Sequence, residues 1–267
     1  MLKQEEMIEK VRKKSRNDQS IVAAMMYGSF TQHSGDQYSD IEFYIFIRDE
    51  LLDQFVSSEW IAGIAPFYIH FTNEFGSEVV IFKNLIRGEF HFLPEQKMDL
   101  IDSFKYVGYF PDPDSMLIYD SNGKLKLHLD FLKEGAGPDR TTVKNIESVW
   151  HNLLNNLLFG MNVLKRGERA RALELLWYVQ RYLLQLARIN EGKTERWVNP
   201  TKNLENDIQP ETYQKYCPCT TKLAEADLYE AYLKALCLGE ALMQQLEQIY
   251  GVNVQRDLVA KLEEYFS

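Results

Sequence analysis

The hydrophobic pattern of the chain changes period once, at residues 135–138, where Gly-Ala-Gly-Pro forms a break that a helix does not cross easily. Before the break, short apolar runs are separated by polar and turn-forming residues. After it, apolar residues recur at three- and four-residue intervals almost to the end. Such a switch restricts the chain to two bodies of different class. With 267 residues, each half is of ordinary domain size. The expected fold class is therefore α+β, with a mixed sheet and helices over residues 1–137 and an all-α bundle over residues 138–267.

In the first half, Leu2, Met7, Ile8 and Val11 stand near helical spacing, and Lys13, Lys14 and Arg16 fall where they complement a helix C-terminus. Strands are expected at 21–26, 41–47, 66–71, 78–82, 89–93 and 115–119, with a helix over 51–64 and a turn at Asn122-Gly123. In the second half, Val143, Ile146, Val149, Trp150, Leu153, Leu154, Leu157 and Leu158 define one helix. Leu173, Leu176, Trp177, Tyr182 and Leu183 define another, and residues 223–249 a third. Residues 194–218, which hold Pro200, Pro210 and Pro218, are expected to be loop-like, and a short helix over 254–266 ends the sequence.

Charge narrows the partners. Thirty Lys and Arg against 39 Asp and Glu give a net charge of −9, which disfavours a nucleic-acid backbone or an anionic membrane surface as the main partner. No apolar run approaches a membrane span, and the first residues lack the apolar core of a signal peptide. Three cysteines cannot form a disulfide scaffold, so a reducing, cytoplasmic setting is expected. The five histidines show no zinc spacing, and Cys217-Pro-Cys219 lacks a second cysteine pair.

The residues that point to chemistry lie in GSFTQHSGDQYSDIEFYIF, residues 28–46. A glycine at the end of a strand lets backbone approach a ligand, and the adjacent Ser29 hydroxyl and N–H can hold a phosphate oxygen. Asp40 and Glu42 are two residues apart at the start of a strand, so they project from one face, about 7 Å apart along the chain. Two ionised carboxylates this close need a cation, and hard oxygen donors suit Mg²⁺ together with substrate phosphates. A third carboxylate could come from Glu89, which opens GEFHFLP and shares a face with His91, or from its rival Glu78 at the start of EVVIF. Lys144 and the equally basic Arg140, just after the break, are candidates for the triphosphate.

Gly28-Ser29, ten intervening residues and then Asp40-Ile41-Glu42 resemble the signature of the nucleotidyltransferase superfamily, and the whole pattern resembles the B-type lincosamide nucleotidyltransferases. That resemblance implies an N-terminal nucleotidyltransferase-fold catalytic domain, a C-terminal helical bundle and a homodimer. It implies transfer of AMP from ATP to a hydroxyl of lincomycin or clindamycin, the 3-hydroxyl, with two Mg²⁺ ions and release of pyrophosphate. By the same resemblance Gly28 and Ser29 grip the triphosphate and Asp40 and Glu42 bind metal; Ser39 and Lys144 are further candidates for nucleotide binding, and Glu89 is the candidate third carboxylate, to hold metal or to take the proton of the attacking hydroxyl. Many superfamily members have Asp where this chain has Glu42. Competing readings keep the chemistry but change the acceptor to an aminoglycoside or a protein side chain, or make the chain a non-catalytic interaction protein.

Overall fold

The structure, a computed structural model, describes residues 1–106, 108–134 and 137–266. Gly135 and Ala136, the first two residues of the expected break, lie outside the described residues. The chain forms two compact units, Met1–Gly137 and Pro138–Ser267.

In the first unit, α1 (Lys3–Asn17) leads into β1 (Ile21–Tyr27) and β2 (Ile41–Ile47). Then come α2 (Ser57–Ala62), β3 (Phe67–Thr72), β4 (Glu78–Phe82), β5 (Arg87–Pro94), β6 (Leu117–Asp120) and α3 (Lys124–Lys133), with 3₁₀ turns between several of them. The strands form a six-stranded mixed sheet in the order β3-β4-β5-β2-β1-β6, among the described residues. Among the described residues, only β2 and β5 pair in parallel; the other neighbours are antiparallel.

Because strand side chains alternate, β1 and β2 each supply two cores. Ala24, Met26, Ile41, Phe43, Ile45 and Phe90 pack on one face with Met7, Ile8 and Val11 of α1 and Trp60 of α2. Ala23, Met25 and Phe46 pack on the other face with Met98, Ile101, Met116, Leu125 and Leu129. Every one of these core residues is at most 7% exposed.

One sequence expectation is corrected here. Residues 51–64 do not form one helix: a 3₁₀ stretch, Asp49–Gln54, is separated from α2 by extended Phe55 and Val56. That extension lets Phe55 pack on Phe92, with ring centroids 5.2 Å apart. The bend at the expected Asn122-Gly123 turn leads directly into α3, with Gly123 as its N-cap. The Asp120 carboxylate accepts from Gly123 N at 2.8 Å and Lys126 N at 2.9 Å, satisfying donors of the first turn.

The second unit is all-α: α4 (Val143–Lys165), α5 (Arg169–Asn190), α6 (Leu204–Asp207), α7 (Pro210–Tyr216), α8 (Glu225–Tyr250) and α9 (Arg256–Phe266). Helices α4, α5 and α8 share its core. Gly160 of α4 allows a close approach there, since a Cβ on it would lie 2.0 Å from the Tyr232 hydroxyl. That hydroxyl donates to the Ala172 carbonyl at 2.7 Å, and the fully buried Trp150 indole donates to the Val254 carbonyl at 3.1 Å. Residues 194–218 are less loop-like than expected, since short helices and 3₁₀ turns occupy much of them. Arg188, buried on α5, ties the segment down by donating to the carbonyls of Pro200 at 2.8 Å and Lys202 at 2.9 Å and to Asp207 at 3.1 Å. Trp177, expected on the inward face of α5, is 52% exposed. Among the described residues, no helix is long and apolar enough to cross a membrane.

Candidate active site

The register of three central strands assembles the acidic residues. Tyr27 at the end of β1 pairs with Glu42 at the start of β2, and Glu42 pairs with Glu89 on parallel β5. Side chains directly opposite one another share a face, so Tyr27, Glu42 and Glu89 form a row across the sheet. One step further in, Tyr44 pairs with His91 and their rings stack at 4.2 Å and 7°. This is the face of Ala23, Met25 and Phe46, whose far part is covered by the 3₁₀ segment Glu95–Tyr106 and α3. Glu78 is opposite Phe90 on β4 and therefore points to the other face, where its carboxylate meets His70 Nε2 at 2.6 Å.

Arg87 joins the row, two residues before Glu89 and so on the same face. Its Nη1 donates to Asp40 Oδ2 at 2.7 Å and its Nη2 to Glu89 Oε2 at 2.5 Å. Burial works against ionisation of Glu89, but hydrogen bonds from Arg87 and Ser77 and the Arg87 charge outweigh it, holding its carboxyl below the usual range. Burial, with the nearby Glu42 and Glu89 charges, pushes the Tyr27 phenol well above its ordinary pKa. The Tyr27 hydroxyl meets His91 Nε2 at 3.1 Å, and burial lowers the pKa of His91 despite Glu89 nearby.

The signature loop shows how the glycine is used. Gly28 has φ +86° and ψ −153°, a backbone that residues with a Cβ rarely adopt. A Cβ there would lie 1.8 Å from Glu42 Oε2, so the space it leaves holds the Glu42 carboxylate rather than a ligand. Ser29 begins a 3₁₀ turn, Ser29–Gln32, and its buried Oγ has no hydrogen-bond partner. A buried hydroxyl in that state is suited to a phosphate oxygen. Ser39 Oγ is engaged with Asp36, while buried Gln4 of α1 donates to the carbonyls of Gln37 and Ser39 at 3.0 Å and fixes the approach to Asp40. Lys144 is exposed in the first turn of α4, in the other unit. Arg140 lies against Trp197, 4.8 Å from the ring centroid.

Among the described residues, no three Asp, Glu, His or Cys side chains are already gathered as a metal cage. Asp40 and Glu89 are instead spanned by the Arg87 guanidinium. The donor set itself, carboxylate oxygens on one face beside an orphaned hydroxyl, fits a hard divalent cation carrying a phosphate ligand. Sequence reasoning missed Arg87, Tyr27, Tyr44 and Ser77 as members of this cluster; for Arg87 the signal was its even spacing from Glu89.

Comparison with known proteins bears on the second unit most directly. Residues 142–265 match the family model described as "lincosamide nucleotidyltransferase-like, C-terminal domain". No curated protein matches the chain. Among solved structures, an aminoglycoside 6-adenyltransferase from Bacillus subtilis aligns at 12% identity and a TM-score of 0.44, covering 100% of this chain and 97% of its own. A nucleotidyltransferase-like protein from Exiguobacterium sibiricum 255-15 aligns at 14% identity and a TM-score of 0.36, covering 91% of this chain and 77% of its own. The helical unit, matched over nearly its whole length, is thus similar to the C-terminal domain of lincosamide nucleotidyltransferase-like proteins.

Proposed function

We propose that this chain is an adenylyltransferase that moves AMP from ATP onto a hydroxyl of a lincosamide antibiotic, the 3-hydroxyl of lincomycin or clindamycin. The observation that carries the reading is the row Asp40, Glu42 and Glu89 on one sheet face, next to the orphaned Ser29 hydroxyl. The family match of the helical unit supports lincosamide as the acceptor class.

In this reading the Ser29 hydroxyl and the backbone N–H groups of its turn grip the triphosphate. Asp40, Glu42 and Glu89 would hold the divalent cations, two Mg²⁺ ions, which would supply neutralisation of the charge that develops in an in-line displacement at the α-phosphorus. Glu89, ionised at neutral pH, accepts the proton of the incoming drug hydroxyl, a contribution of about 10²- to 10⁴-fold in rate. Lys144 contributes to nucleotide binding, and the enzyme works as a cytoplasmic homodimer without a nucleic-acid substrate.

Mass spectrometry of lincomycin and clindamycin after incubation with the protein, ATP and Mg²⁺ tests this. The expected result is a gain of one AMP that disappears with Asp40→Asn. Label from α-labelled ATP appearing instead on an aminoglycoside or on protein overturns the acceptor. No transfer to any acceptor, together with ATP binding that ignores Mg²⁺ and Asp40→Asn, overturns the transferase reading itself.

A further inference from the structure

We propose that Arg87 is an internal counter-cation for the acidic row, bridging Asp40 and Glu89, and must be displaced before a divalent cation can load. The inference rests on the nucleotidyl-transfer reading above.

Three carboxylates face the same small region, and the mutual repulsion of such a group needs a positive charge. The sheet supplies one. Arg87 and Glu89 are two apart on β5 and share a face, and the parallel register sets Glu89 beside Glu42. The guanidinium then uses both arms, one on Asp40 at 2.7 Å and one on Glu89 at 2.5 Å. A fork of this kind engages the same carboxylate oxygens that a metal would use, and it matches carboxylates in a way a lysine ammonium cannot.

Its position also allows release. The Arg87 side chain is 43% exposed, against 17% for Glu89, so the guanidinium can leave toward solvent while the carboxylate stays on the sheet. A metal arriving alone must break two charge-assisted hydrogen bonds and strand the arginine in water. A metal arriving with a triphosphate brings a new anionic partner for the freed fork. Loading is thereby coupled to nucleotide, and by reciprocity nucleotide binding is coupled to metal.

The test is Mn²⁺ binding without nucleotide, measured by electron paramagnetic resonance or calorimetry, for the wild-type protein, Arg87→Lys, Arg87→Gln and Asp40→Asn. Circular dichroism melts check the fold of each. Because lysine keeps the charge but cannot span both carboxylates, both Arg87 variants should bind Mn²⁺ about tenfold more tightly than wild type, the loss of one strong fork contact. The gap should shrink when a non-hydrolysable ATP analogue is present. Arg87→Lys binding like wild type while Arg87→Gln tightens would mean charge alone, not displacement, and overturns the proposal. Equal or weaker binding in both variants overturns it too. If Asp40→Asn abolishes Mn²⁺ binding while the Arg87 variants are unchanged, only the displacement fails. If Asp40→Asn binds Mn²⁺ like wild type, or no form binds it, the metal site fails with it.

Discussion

Gly28→Ala separates the two things the glycine does. Its φ of +86° and ψ of −153° lie in a region essentially confined to glycine, and an alanine held there costs about 1–3 kcal/mol. The added Cβ would also lie 1.8 Å from Glu42 Oε2. Since that oxygen is the tip of a flexible side chain, the carboxylate can rotate away, adding about 0.5–1.5 kcal/mol for an off-rotamer position. The stability loss is thus mainly backbone, a fall in melting temperature of roughly 4–12 °C for a unit of this size. The loss of turnover is mainly Glu42, displaced from the acidic row. Calorimetric melting and adenylylation rate, measured in parallel, resolve the two. Gly123→Ala is the control, with φ +78°, no atom within 4 Å of its Cβ and a place away from the acidic row. It should cost about 1–2 kcal/mol and leave the rate unchanged. A Gly28→Ala protein that melts like wild type would refute the backbone argument. One that melts low but turns over at full rate would refute the packing of Glu42 against Gly28.

Opposite faces of the sheet give opposite outcomes for two nearby glutamates. Glu89→Gln should lower the transfer rate by about 10²- to 10⁴-fold, whereas Glu78→Gln, beside His70 on the other face, should change it less than threefold; steady-state kinetics decides. In the helical unit, Asp207→Asn removes the charge that faces the buried Arg188 and should destabilise by about 2–4 kcal/mol in chemical denaturation. Burial works against the ionised form of Asp207, yet hydrogen bonds from Arg188 and Asn203 and the charges of Arg196 and Arg188 hold its pKa below the ordinary value. The unfolded chain therefore binds the proton more readily. The contribution is complete above the unfolded pKa of about 3.8 and is lost as pH falls through the lower folded value. A wild-type minus Asp207→Asn stability difference that did not shrink below pH 4 would contradict this.

How much of this was legible depends on which interactions each residue obeys. The strands at 21–26, 41–47 and 78–82 were readable because their side chains are decided by one local rule, alternation between two buried faces. Residues 124–133 were not, because KLKLHLDFLK alternates like a strand while its buried residues are Leu125, Leu129 and Leu132, spaced for a helix, and Leu127 is 70% exposed. What decides in favour of helix there is the Asp120 carboxylate holding the first-turn N–H groups, a contact set by the end of β6. Likewise Pro200 and Pro210 suggested a loop, but the guanidinium of Arg188 gathers the carbonyls of that segment from a different helix.

The acidic row follows the same division. Asp40 and Glu42 were readable as a pair because a two-residue spacing fixes a shared face whatever the sheet order. The choice between Glu78 and Glu89 required knowing that β5, not β4, lies beside β2, and in parallel register; strand order is a property of the whole sheet and leaves no trace in spacing. Arg87 was hidden for a further reason. A basic residue two places before an acidic one is unremarkable in sequence, and its significance arises only when a second strand brings Asp40 within 2.7 Å of the other arm of the fork. Residues that bridge strands are therefore those a single sequence conceals most completely. In this chain that bridging residue sets a cation of the protein's own between Asp40 and Glu89.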